Sequence, residues 1–183
     1  MIESNRYVIG APKEYTPHIA CLVSMMNYAR ITTKEAAKGL TMEELDYCMD
    51  ENSNSIGALL QHAAAVDFVY YILTFEERGE EEMTKEETEK WSAALELGDR
   101  GRKELKGKTL EEIFELMDKQ RAKTLSALKE KDDEWLLKAT HYSPKSEDRW
   151  NNYWKWFHVL EDEINHRGQI RMLRKRLPNK SVK

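Results

Sequence analysis

The stretch from Trp150 to Leu177, WNNYWKWFHVLEDEINHRGQIRMLRKRL, contains no proline and a single glycine, so it reads as one long helix. At about 100° per residue, His158, Asp162 and His166 recur every four positions and stay within about 80° of the helix surface. Val159, Ile170, Leu173 and Leu177 share that side, so metal-capable groups sit among apolar neighbours. Tyr153, Phe157, Leu160 and Ile164 form a second apolar stripe on the opposite side. A helix that is apolar on both sides is buried on both sides. This segment is therefore expected at the centre of a helical bundle or against a second subunit.

The remaining chain must supply its partners. With 183 residues, 40% hydrophobic and 34% charged, and only four prolines and eight glycines, the sequence suits one soluble helical domain spanning 1–183. The net charge is −4 and the basic residues are dispersed, which argues against nucleic acid as a partner. The basic run RMLRKRLPNKSVK reads as a charged last turn and a frayed end. Cys21 and Cys48 lack metal or disulfide spacing. No apolar run of about 18 residues and no signal-peptide layout is evident, so no membrane partner and a cytoplasmic location are expected.

Taken in order, residues 1–12 are irregular. Apolar positions Ile19, Leu22, Val23, Met26 and Ala29 then predict a helix over 13–31, with His18 solvated near its start. Residues 31–55 are a connector with a short helix at 41–48, opened by the capping-box pair Thr41 and Glu44. A second major helix is expected over 55–75. There His62 lies in the middle of an apolar stripe with Leu59, Val66, Val69 and Leu73, so its ring nitrogens need partners.

The charged segment 76–90 reads as a solvated, mobile turn or helix start. One further helix is expected within residues 91–107, interrupted near Gly98–Gly101. Thr109 and Glu112 open a helix over 109–130, whose inner face carries Leu110, Ile113, Met117, Thr124 and Leu128. Arg121 also faces inward and requires an acidic partner, with Asp67, Asp162 or Glu161 as candidates. A structural salt bridge is the plainer role for Arg121; anchoring an anionic substrate is the sharper one. The segment 131–149 reads as loop with a surface His141, and strand signals are nearly absent. The four major helices are thus expected near 13–31, 55–75, 109–130 and 147–176, an all-α four-helix bundle with short extra helices in the connectors.

The segments NSIGALLQHAAAVD and HVLEDEINHRGQI together resemble the DinB/YfiT-like family. The resemblance extends over nearly the whole chain, including LTMEELD, RAKTLSAL and the WNNYWKWFHVLEDE run. It implies an up-down-down-up bundle with a divalent metal held by one histidine of the second helix and two ligands four apart on the last. Those positions are His62, Asp162 and His166 here, with aspartate at a place where many relatives carry histidine. His158 matches another recurrent histidine and could complete the shell or orient a ligand. Two histidines and a carboxylate suit Zn, Ni, Fe(II) or Mn.

Some members of the resembled family are metal-dependent transferases acting through low-molecular-weight thiols such as bacillithiol or mycothiol. The resemblance therefore implies a thiol cosubstrate and a small-molecule electrophile, with Arg121 receiving a carboxylate. No catalytic residue beyond the metal ligands is indicated. A second reading is a non-catalytic helical module with a degenerate metal site. In either, the doubly apolar last helix and the crowding of Trp150, Trp154 and Trp156 at its start predict a homodimer. A third reading takes DEINH as a distorted H-E-x-x-H zinc hydrolase with Glu163 as base. Glu163 lies about 100° from Asp162 around the helix, which disfavours it.

Overall fold

The computed structural model describes residues 6–141 and 147–178, without the side chain of His141. Four long helices form the frame: α1 (Pro17–Ala37), α3 (Ile56–Phe75), α6 (Leu110–Lys129) and α8 (Asn152–Arg174). Short helices fill the connections: α2 (Met42–Asp46), α4 (Lys85–Glu96), α5 (Gly98–Glu104) and α7 (Asp133–Leu137), with a 3-10 turn at Glu80–Glu82. A small antiparallel ribbon pairs β1 (Ala139–His141) with β2 (Arg149–Asn151).

Side-chain contacts fix the helix directions. His18 lies against Tyr153 near the starts of α1 and α8, while Arg174 donates to the Ala36 carbonyl near their ends, so these helices run parallel. His62 sits beside His166, and Tyr70 beside His158, so α3 and α8 are antiparallel. Gly57 faces Ile113 and Asp67 meets Thr124, which makes α3 and α6 parallel. The order is therefore up-down-down-up, and the parallel pair α3 and α6 requires a long crossover, which the 3-10 turn, α4 and α5 occupy.

Local chemistry sets most boundaries. Ser55 accepts from the Ala58 amide and starts α3; Thr41 and Thr109 form capping boxes with Glu44 and Glu112. Gly57 lets α2 approach closely, because a β-carbon there would lie 3.2 Å from the Leu45 carbonyl oxygen. The α3 segment is long and apolar enough to cross a bilayer by length and composition, contrary to the sequence expectation, yet 78% of it is buried inside the protein. It is the central helix of the core, packed by both α6 and α8.

Several boundaries differ from expectation. Helix α1 continues through residues 31–37, assigned above to a connector. Thr32 and Thr33 are buried there, and Thr32 accepts from Arg167 of α8, so tertiary contacts outweigh the modest helix propensity of threonine. The chain leaves the helix at Gly39, whose φ of +78° favours glycine. Helix α8 starts at Asn152 rather than 147, because residues 149–151 pair with β1 and Asn151 caps the helix by accepting from the Trp154 amide. The strand Arg149–Asn151 carries Trp150 with it.

The segment 76–90 is ordered rather than a mobile turn. Thr84 and Glu87 make a third capping box, and Arg78 is held between Glu76 and Glu87. The anticipated interruption falls at Leu97 and Gly98, both at positive φ. Helix α7 is one of the short connector helices expected, though its segment was read as loop. It presents Asp133, which accepts from the backbone amides of His18 and Ile19 and so closes the N-terminus of α1. The expectation of a surface His141 side chain, and the Pro144 segment after it, lie outside the described residues.

Candidate metal centre

Helices α3 and α8 bring His62, Asp162 and His166 together, with one ligand-capable atom of each lying within 4.8 Å of the others. Asp162 and His166 are one turn apart on α8, and His62 meets them across the antiparallel α3 interface. The rings of His62 and His166 approach edge to face at 4.8 Å between centroids. All three side chains are largely, but not fully, withdrawn from solvent.

The outer ring nitrogens are occupied. His62 Nδ1 lies 2.7 Å from the Ala94 carbonyl, which can only accept, so Nδ1 carries the proton. His166 Nδ1 lies 3.3 Å from Gln169 Oε1, one helical turn along α8. These partners turn both Nε2 atoms inward: His166 Nε2 is 3.3 Å from Asp162 Oδ1, and His62 Nε2 is 3.6 Å from Oδ2. Asp162 Oδ2 is buried and has no hydrogen-bond partner. A buried carboxylate oxygen without a donor is costly, and a cation held between it and the two Nε2 atoms would relieve that cost once His166 gives up its proton. The donor set thus fits a divalent ion, with Ala94 and Gln169 orienting the two imidazoles.

Electrostatics agree with that reading. Burial works to raise the Asp162 carboxyl, but the neighbouring His166 and His62 imidazoles outweigh it and hold the group well below the usual carboxylate range. Burial likewise works to lower His166, but Asp162 overcomes it and raises the imidazole above its ordinary value. A raised histidine stabilises the fold fully below its unfolded value, and that gain is lost as pH rises through the folded value. A lowered aspartate contributes above its unfolded value and loses the gain as pH falls through the folded one. Metal-free protein should therefore gain most from this pair between about pH 4 and 6.5. Zinc should shift the melting temperature upward increasingly above that window, because the ion must displace the His166 proton. Thermal melts of chelated and zinc-loaded protein across this range check both trends. A zinc-induced shift that does not grow with pH would remove His166 from the ligands.

His158 does not join the triad. Its ring stacks on Trp154 at 5.4 Å, lies beside Tyr70, and points Nδ1 at Glu161 at 3.5 Å. The four-residue spacing put it on the right face but one turn beyond convergence. Glu163, the base of the hydrolase reading, points away from the triad into the bundle, where it accepts from Arg30 and Arg121.

Arg121 is enclosed as well. Its Nε donates to Asp67 at 2.6 Å, one terminal nitrogen to Glu163 at 3.0 Å and the other to the Met26 carbonyl at 3.1 Å. Asp67 was among the expected partners; Asp162 and Glu161 are not used. With each guanidinium nitrogen engaged and the residue buried, the geometry supports the salt bridge and not a substrate anchor. Sequence reasoning missed Ala94, because a backbone carbonyl leaves no trace in residue type. It also passed over Gln169, although the glutamine stands within the HRGQ run.

Comparison with known proteins follows the same lines. A model of the mycothiol-S-transferase family matches residues 21–178. No curated protein matches the chain. Among solved structures, an uncharacterised protein from Clostridium difficile 630 superposes with a TM-score of 0.66 at 15% identity, covering 87% of this chain and 97% of that one. A protein from Streptococcus pneumoniae superposes with a TM-score of 0.65 at 11% identity, covering 97% and 99%. At such identities the likeness is one of fold.

Proposed function

The chain belongs to the mycothiol-S-transferase family, and from that premise we propose that it is a divalent-metal-dependent S-transferase using a low-molecular-weight thiol such as bacillithiol. The observation that carries the reading is the unpartnered Asp162 Oδ2 facing two inward Nε2 atoms. His62, Asp162 and His166 would hold the ion, leaving room for an exogenous ligand as three-residue zinc sites do. The bound ion would supply Lewis acidity that keeps a thiol in its nucleophilic thiolate form at neutral pH.

The protein's own groups do the rest. The Ala94 carbonyl and Gln169 fix the imidazole tautomers, and the apolar walls of α3 and α8 restrict water. The thiolate sulfur bonds to an electrophilic carbon while the leaving group departs with the electron pair. The thiol proton goes to solvent. Tag-free protein purified without chelator should carry about one ion per chain. With bacillithiol and a haloalkyl bimane dye it should form the S-conjugate, and chelation should stop the reaction. An ion-free protein that cannot be loaded would end the proposal.

A second reading, a dimeric helical module without catalysis, is favoured by one feature. Trp154, Phe157 and Ile164 remain 40–47% exposed along the outer side of α8, where apolar side chains commonly mark a subunit contact. We propose a homodimer through this stripe in either case. Sedimentation should show a dimer at micromolar concentration, converted to monomer by Phe157→Glu. A wild-type monomer under these conditions removes the interface.

A further inference from the structure

The break between α4 and α5 does more than turn the chain. Leu97 sits at φ +56° and ψ −141°, a backbone region that residues with a side chain rarely adopt. Its side chain packs against the core, so the conformation is held from within. Gly98 follows at φ +54°. Strain of this kind persists only where the surroundings over-determine it, and it gathers at sites that use it.

The hydrogen bonds around the break show what it does. In an unbroken helix the Gly98 amide would donate to the Ala94 carbonyl four residues back. It donates instead to Asn54 Oδ1, at 3.0 Å, on the connector that leads into α3. The Leu97 amide still reaches the Ala93 carbonyl at 3.0 Å, so the helical ladder ends there. The buried Ala94 carbonyl is thereby one of the orphan acceptors of a helix C-terminus, and His62 Nδ1 takes it at 2.7 Å. Asn54 is the side chain that holds the competing donor away.

We propose that Asn54, acting with the Leu97–Gly98 break, is a positioning residue for the metal centre. By holding the Gly98 amide it reserves the Ala94 carbonyl for His62, which fixes the Nδ1–H tautomer and leaves Nε2 free for the ion. The role in ion binding rests on the S-transferase reading; the tautomer is a property of the metal-free protein. Without Asn54 the Gly98 amide returns to Ala94. His62 then loses its acceptor at Nδ1, and Asp162 Oδ2, 3.6 Å from Nε2 and lacking a donor, draws the proton to the nitrogen that should face the ion. In that tautomer the proton must move before the ring can act as a ligand.

The test is long-range ¹H–¹⁵N correlation of the imidazoles in full-length, metal-free protein, at about pH 8 where an ordinary histidine is neutral. Wild type should show His62 as Nδ1–H. Asn54→Ala should shift it towards Nε2–H and weaken zinc, measured by chelator competition, about 10–100-fold. Asn54→Asp keeps the accepting Oδ1 and should restore both, which a loss through misfolding would not allow. Arg102→Ala is the control: Arg102 ties α5 to the same connector through the Asn52 carbonyl at 3.2 Å without touching the Gly98 amide, and its removal should change neither readout. Retained Nδ1–H or unchanged zinc affinity in Asn54→Ala, failure of Asn54→Asp to rescue, or an equal effect of Arg102→Ala would overturn the proposal. A wild-type protein that takes up no zinc would end the transferase reading instead, while the tautomers of the variants still decide the role of Asn54.

Discussion

Asp67→Ala should destabilise the protein by about 3–5 kcal/mol, the usual cost of stranding a buried charge. In a domain of this size that lowers the melting temperature by about 10 °C. Each long helix contributes one charge to the centre of the bundle: Arg30 from α1, Asp67 from α3, Arg121 from α6 and Glu163 from α8. All four are at least 95% buried. Glu163 takes Arg30 Nε at 2.8 Å and Arg121 at 3.0 Å, while Asp67 takes Arg121 Nε at 2.6 Å and the Thr124 hydroxyl. The Met26 and Met117 carbonyls absorb remaining guanidinium protons. The set is neutral, and removing Asp67 leaves two cations against one carboxylate.

The same network predicts acid sensitivity. Burial works to raise the Glu163 carboxyl, but Arg30 and Arg121 outweigh it and hold the group below its ordinary value. Its contribution is therefore complete above the unfolded value of about 4.3 and fades as pH falls through the lower folded value. Replacing all four charges together by Met, Leu, Met and Leu should cost less than Asp67→Ala alone, because no charge is then left unpaired. Urea unfolding of the single and quadruple variants checks this. A single variant within about 1 kcal/mol of wild type would show that water reaches the network.

How much of this was legible before the fold depended on whether one residue or a pairing carried the signal. Periodicity located all four long helices, since each presents a mostly apolar face to the core. Thr41 and Thr109 marked the starts of α2 and α6 because capping is local. The errors fall where tertiary contacts decide: Arg167 and Arg174 carry α1 six residues further, and β1 delays α8. Arg121 showed itself as an inward cation. Arg30 and Glu163 did not, although Arg30 follows Val23 and Met26 by seven and four positions, and Glu163 follows Val159 by four. Their places in buried stripes were visible, but Glu163 was weighed only as a hydrolase base and Arg30 not at all. At the candidate metal centre the i, i+4 spacing pointed to Asp162 and His166, and the isolated apolar setting to His62, which the structure brings together. The same spacing admitted His158, because periodicity fixes a face but not a height along the partner helix.

His166→Ala should abolish stoichiometric metal, while Asp162→His should retain or strengthen it. His166 supplies one of the two inward Nε2 atoms, and without it only His62 and Asp162 remain within reach of an ion. Two protein ligands hold zinc weakly, whereas three are the ordinary minimum of catalytic sites. Histidine at 162 would supply a neutral nitrogen donor, the ligand that the family resemblance implies there, and would remove the buried Oδ2 that now lacks a donor. Gln169→Ala should fall between these, weakening zinc about 10–100-fold by freeing the His166 ring rather than removing it. Metal analysis after dialysis and competition titration with a chromogenic chelator would rank the variants. Far-ultraviolet circular dichroism should be unchanged in each, since α8 is held by Val159, Leu160, Ile170 and Leu173 independently of the triad. If His166→Ala kept one ion per chain, the ligands would have to be sought elsewhere. If a crystal grown in excess zinc left His62 bonded only to Ala94 and Asp162, the cluster would be a hydrogen-bonded pair of histidines around a carboxylate, and the transferase reading would fall with it.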